Sequence, residues 1–170
     1  MIYNIADVTE RAYVTCEKCH VPVSYDVEVS LSRYPLAEQF GVCRGYHGFY
    51  RILINPVLIY SELPYALLCS TVMHEMLHTC EDTRGHDARW REYARRVSRY
   101  GYAVSRDADL SDFGVTDADF LCAIAGARKT GEYAGIPSFY VPTLLIATAD
   151  DSRLVDRAEE VLARHDFYSD

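Results

Sequence analysis

The chain has 170 residues, 49 % of them hydrophobic and 25 % charged, with a formal net charge of −8. That length suits one globular domain, or one domain with a small appendage, and the acidity argues against nucleic-acid binding over the whole surface. No apolar run approaches the roughly 18 residues of a membrane span, and the first residues carry Asp7 and Glu10 without a basic start, so the expectation is a cytoplasmic protein with no secretory leader and no membrane association.

The first predicted element is a helix from Ile2 to about Lys18, with Ile5, Val8, Ala12 and Cys16 at helical spacing. Pro22 closes that region. Val23 to Leu31 alternates apolar and polar residues and reads as a half-buried strand. Gly41, Gly45 and Gly48 punctuate the next segment, and Phe49 to Ile54 reads as a second strand closed by Asn55-Pro56. Pro64 stands where a helix can begin, and no Gly or Pro interrupts Tyr65 to Glu81. This helix is apolar nearly all round, the mark of a buried one. Asp87 to about Tyr100 is a further helix, with Trp90, Tyr93, Ala94 and Val97 inward and arginines outward. Beyond it, Thr116 to Arg128 reads as a helix with Thr116 as N-cap, Tyr140 to Thr148 as a strand, and Ser152 to His165 as an amphipathic helix.

The buried central helix carries His74-Glu75-Met76-Leu77-His78, and a third histidine follows at His86. Residues four apart share a helix face, so His74 and His78 can reach one ion. A catalytic zinc takes three protein ligands and leaves a position for water, and His86 can supply the third. Glu75 lies beside the ligands, placed to take a proton from that water. Two histidines on a buried stripe need partners, and metal coordination satisfies both.

Six cysteines occur, at positions 16, 19, 43, 69, 80 and 122. In a cytoplasmic chain they are expected as buried thiols rather than disulfides. Cys16-Glu17-Lys18-Cys19-His20 also matches a haem-attachment string, or half of a zinc ribbon, and neither reading finds its other requirements in the chain. Charge is unevenly spread: seven arginines and two acids occur between Arg84 and Arg106, then five aspartates and no base from Asp107 to Asp119. The arginines read as a solvated helix face or as a basic rim that attracts an anionic partner such as DNA.

Gly41-Val42-Cys43-Arg44, Tyr50-Arg51-Ile52-Leu53-Ile54-Asn55-Pro56, His74 to Thr79, Gly85-His86-Asp87-Ala88-Arg89-Trp90 and Gly101-Tyr102 follow one another in order. Together they resemble the SprT-like (Spartan-type) zinc metallopeptidase domain over roughly residues 2–106. The resemblance implies an α+β fold with a minimal zincin-like core: an N-terminal helix, a small β-sheet, the HExxH helix and a following helix. Residues 107–170 then form a C-terminal α/β extension. It also implies zinc held by His74, His78 and His86, with Glu75 as general base, acting on a protein or peptide substrate. The family's best-known members degrade proteins crosslinked to DNA. Many relatives carry a C-terminal zinc ribbon, for which this chain lacks the cysteines, since only Cys122 follows His86.

The spacing separates this pattern from its neighbours. A metzincin would place its third histidine at position 84, which is Arg84, and a gluzincin would use Glu92, which falls on the outward stripe with Arg89, Arg96 and Arg99. Arg44, Tyr46, His47 and Tyr50 are candidates to stabilise an oxyanion, and Glu81 and Asp82 to accept the second N–H of a ligating histidine. Two other readings compete with the peptidase. One is a zinc-stabilised binding module with little turnover, its site closed by Cys80 or Cys43. The other is a different zinc hydrolase using the same residues.

Overall fold

The computed structural model describes residues 3–32, 40–59, 63–107, 109–116 and 119. Among these the fold is mixed α+β, with three α-helices and one three-stranded sheet. Helix α1 spans Ile5–Lys18, starting later than its apolar periodicity suggests because Asn4 caps it, accepting the Ala6 N–H at 2.9 Å. Strands β1 (Val27–Leu31), β2 (Gly41–Tyr46) and β3 (Phe49–Ile54) follow. Helix α2 is Tyr65–Leu77 and α3 is Ala88–Ser98, and short 3₁₀ turns occupy Pro56–Ile59 and Leu110–Phe113.

Strand order is β1-β3-β2, with β1 parallel and β2 antiparallel to the central β3. Strand β1 is shorter than the alternation from Val23 predicts. Its register with β3 begins at Val27, facing Tyr50, whose N–H donates to Asp26 O at 2.9 Å, so the ladder stops short of the residues before Asp26. There the Ser24 N–H donates instead to Thr79 Oγ1 at 3.0 Å, just past the end of α2. Strand β2 is an addition to the predicted elements, which read its glycines as loop. A tight turn at His47 (φ 48°) and Gly48 (φ 90°) joins it to β3 as a hairpin.

Helix α2 packs on the inner face of the sheet and against α1. Ile52 and Ile54 from β3, Val72, Met73, Met76 and Leu77 from α2, and Ala12 and Cys16 from α1 are fully buried there. Burial all round α2 is as its composition predicts. The helix ends at Leu77 rather than Glu81. Its last carbonyls are taken by threonines, with Thr79 Oγ1 donating to Met76 O at 2.7 Å and Thr83 Oγ1 to Leu77 O at 3.3 Å. Such side-chain bonds compete with continued helix.

The cysteines behave as packing groups. Cys16, Cys19 and Cys80 are buried, Cys43 and Cys69 partly so, and all five are free thiols. Leu110 and Val115 are buried in the same core. The helix expected over 116–128, the strand over 140–148, the helix over 152–165 and Cys122 lie outside the described residues, Thr116 and Asp119 apart. No helix among the described residues is long and apolar enough to cross a membrane.

Candidate metal centre

His74 lies in the last turn of α2, His78 is the residue that caps it, and His86 arrives from the loop before α3. The chain turns back at Gly85 (φ +57°), in the left-handed region that glycine adopts freely. Asp87 then starts α3, accepting the Trp90 N–H at 2.8 Å.

The three imidazoles converge. His74 Nε2 lies 3.3 Å from His78 Nε2 and 3.0 Å from His86 Nε2. Nitrogens on a tetrahedral zinc at about 2.0–2.1 Å stand roughly 3.3 Å apart, so the spacing fits an ion of that size. Among the described residues these three form a group able to hold a metal ion, their ligand atoms all within 4.8 Å of one another. His74 Nδ1 lies 2.9 Å from the Ser105 carbonyl. A carbonyl only accepts, so Nδ1 carries the proton and Nε2 presents its lone pair to the centre.

Electrostatics favours the same state. Burial, then the neighbouring His78 and His86, lower the His74 pKa to about 3. Burial and His86 lower His78 to about 4. His86 is lowered by burial and by Arg106, with Asp107 opposing. Neutral imidazole is the form that binds metal. Beneath the rings lies Trp90, 1 % exposed, with its ring centroid 4.5 Å from His86, 4.9 Å from His74 and 5.6 Å from His78. Its indole N–H is buried without a hydrogen-bond partner among the described residues, so the position rewards ring shape and not the donor.

Glu75 is 7 % exposed and does not belong to the metal-binding group. Burial pushes its carboxyl up to about 8, against the Cys43 backbone N–H, which favours the charged form. It is seated against β2. A Cβ built on Gly41 would fall 2.8 Å from Glu75 Cγ and 3.2 Å from Ile54 Cδ1, so the carboxylate occupies room that only glycine leaves.

Among the described residues, strand β2 is a sheet edge. The Asn55 N–H donates to the Phe40 carbonyl at 2.7 Å, which makes that pair hydrogen-bonded and extends the β2–β3 register by one residue. Alternation along an antiparallel pair then turns the backbone groups of Gly41, Cys43 and Gly45 away from β3, toward the open edge beside Glu75.

No family model, no curated protein and no solved structure matches this chain.

The other candidates fall as follows. Cys43 and Cys80 stay outside the ligand group, and burial raises both thiols to about 12. Cys80 sits near Cys16, whose thiol it pushes up. Glu92 pairs with Arg96 and Arg89 on the flank of α3, away from the centre. Asp82 accepts the Tyr93 hydroxyl at 2.6 Å and pairs with Arg89, while Glu81 is exposed. The acceptor for the His74 N–H is thus the Ser105 backbone, a partner no residue type announces. Arg44 and Tyr50 flank the β2–β3 pairing, and Tyr46 and His47 lie at the hairpin tip. Tyr46 is five positions from Gly41, about 17 Å along an extended strand.

Proposed function

We propose that the chain is a zinc-dependent metallopeptidase of the SprT-like type, built on a zincin-like core. His74, His78 and His86 hold the ion, and Glu75 is the general base. One juxtaposition carries the reading: three neutral imidazole nitrogens aimed at one point, with a buried carboxylate beside them that is not a ligand. Zinc bound there would supply a water acidified to a pKa of about 7 and Lewis acidity for a scissile carbonyl.

Glu75 does the proton work. A cation held by the histidines would favour the charged carboxylate, the form that accepts a proton from the attacking water and returns it to the leaving amine. The open edge of β2 suits the substrate. An extended polypeptide can add a strand there, bonding to the outward groups of Gly41 and Gly45 and to the Cys43 carbonyl, which brings its backbone alongside Glu75, itself bonded to the Cys43 N–H. The site favours a peptidase over a zinc-stabilised module for one reason. A structural zinc takes four protein ligands, and the described Cys, Asp and Glu side chains offer no fourth. An anionic partner such as DNA would find Arg91, Arg95 and Arg99 on the α3 flank, none of them paired with a carboxylate among the described residues.

The test is metal analysis of purified protein, with cleavage of an unfolded model protein measured with and without DNA. Wild type is expected to carry zinc and cleave, Glu75→Gln to keep zinc and lose cleavage, and His86→Ala to lose zinc. Cleavage retained by Glu75→Gln sinks the general-base role, and absence of zinc from the wild type sinks the proposal.

A further inference from the structure

The third ligand comes from a loop, and something must hold it. Thr83 fastens the start of that loop, its hydroxyl donating to Cys80 O at 2.9 Å and Leu77 O at 3.3 Å at the end of α2. Gly85, the residue before the ligand, supplies no restraint of its own. It stands at φ +57°, and a Cβ there would meet nothing within 4 Å.

Asp87 holds the other end with both carboxylate oxygens. Oδ1 accepts the Trp90 N–H at 2.8 Å, the ordinary N-cap bond of α3. Oδ2 reaches back and accepts the Arg84 N–H at 2.9 Å. Capping a helix does not require that second bond. It closes a ring of backbone over Gly85 and His86. The first bond does double duty as well, since Trp90 is the residue whose indole lies 4.5 Å from the His86 ring.

We infer that Asp87 is a positioning residue for the metal centre: by bridging the Arg84 and Trp90 N–H groups, its carboxylate sets the backbone that aims His86 at His74 and His78. The inference rests on the metal-binding part of the proposal above and is independent of peptidase activity. It separates two tasks of one side chain, capping α3 and aiming a ligand, and these respond differently to substitution. Serine caps a helix about as well as aspartate, but its single oxygen cannot also span to Arg84. Asparagine keeps one oxygen for Trp90 and turns an amide N–H donor toward the Arg84 donor.

Cobalt(II) titration of the full chain, followed by its visible absorption, provides the test, with the melting temperature of the metal-free protein as control. Asp87→Ser and Asp87→Asn are expected to melt close to wild type and to bind cobalt at least ~10-fold more weakly, the range seen when groups that orient metal ligands are removed. Wild-type affinity and spectrum in both variants overturn the inference, as does a loss of affinity seen only in step with a loss of folded protein. A wild type that binds no cobalt overturns the metal centre itself, and that result is distinguishable because it appears before any substitution is made.

Discussion

Gly41 and Glu75 share one space: a Cβ on the first would lie 2.8 Å from Cγ of the second. The strand residue and the carboxylate are therefore a fitted pair. Gly41→Ala must displace the Glu75 side chain while leaving the three histidines alone. We expect zinc content to stay at the wild-type level and kcat for peptide cleavage to fall about 100-fold, the order that a 1 Å misplacement costs. Metal analysis beside steady-state kinetics checks both halves. An unchanged kcat means that Glu75 either tolerates the shift or is not the base.

Trp90 is the only tryptophan in the chain and touches all three histidines, so its fluorescence reports on the centre. Adding cobalt(II) to metal-free protein is expected to quench that emission with one-site stoichiometry. Trp90→Ala should cost roughly 3–5 kcal/mol of folding stability, the range for emptying a large buried site. Trp90→Phe should cost less, because it also removes a buried donor that has no partner among the described residues. Denaturant melts of the two variants decide the ranking.

Residues 102–107 form a strap along α2. The Ala103 N–H donates to Ser70 Oγ at 3.0 Å, and two residues later the Ser105 carbonyl receives His74 Nδ1. Ser70→Ala should loosen the strap and weaken zinc binding several-fold in a competition assay with a chelator. Ser105→Ala should change little there, because the acceptor is backbone. Equal effects of the two substitutions would contradict this account.

Tyr93 links the ligand loop to α3 by donating its hydroxyl to Asp82 at 2.6 Å. Burial, and then this bond, push its pKa from 10.0 up to about 12. A pKa raised on folding contributes stability that is fully present below the unfolded value and lost as pH rises through the folded one. Thermal stability should therefore decline between pH 10 and about 12. Tyr93→Phe should be less stable at neutral pH and should lack that part of the alkaline decline. Melting curves over this range, for both proteins, test the sign.

The histidine cluster is legible because spacing on a helix is geometry written in residue types: His74 and His78 lie four apart, and Trp90 begins an apolar stripe that also holds Tyr93, Ala94 and Val97. Strand β2 is not. Its Gly41 and Gly45 read as turn residues, whereas their reason is close approach, to Glu75 at Gly41 and to Tyr50 at Gly45. The end of α2 is not legible because Thr79 and Thr83, which take its last carbonyls, look like ordinary helix-compatible residues. The Ser105 contact was illegible for a deeper reason. A main-chain carbonyl is present at every position, so no side chain marks the one that matters.

The alternation along β2 makes the hairpin a matter of parity. Gly41, Cys43 and Gly45 are all odd-numbered, and between them they seat the carboxylate and offer the outward backbone groups. Insert one residue within the strand, between Val42 and the hairpin turn, and every role upstream changes hands at once: Val42 would press on Glu75, and the outward hydrogen-bonding groups would turn into the sheet. Length changes in the segment leading into β2 should thus be tolerated as loops tolerate them, while a one-residue change within Gly41–Tyr46 should act like an off switch.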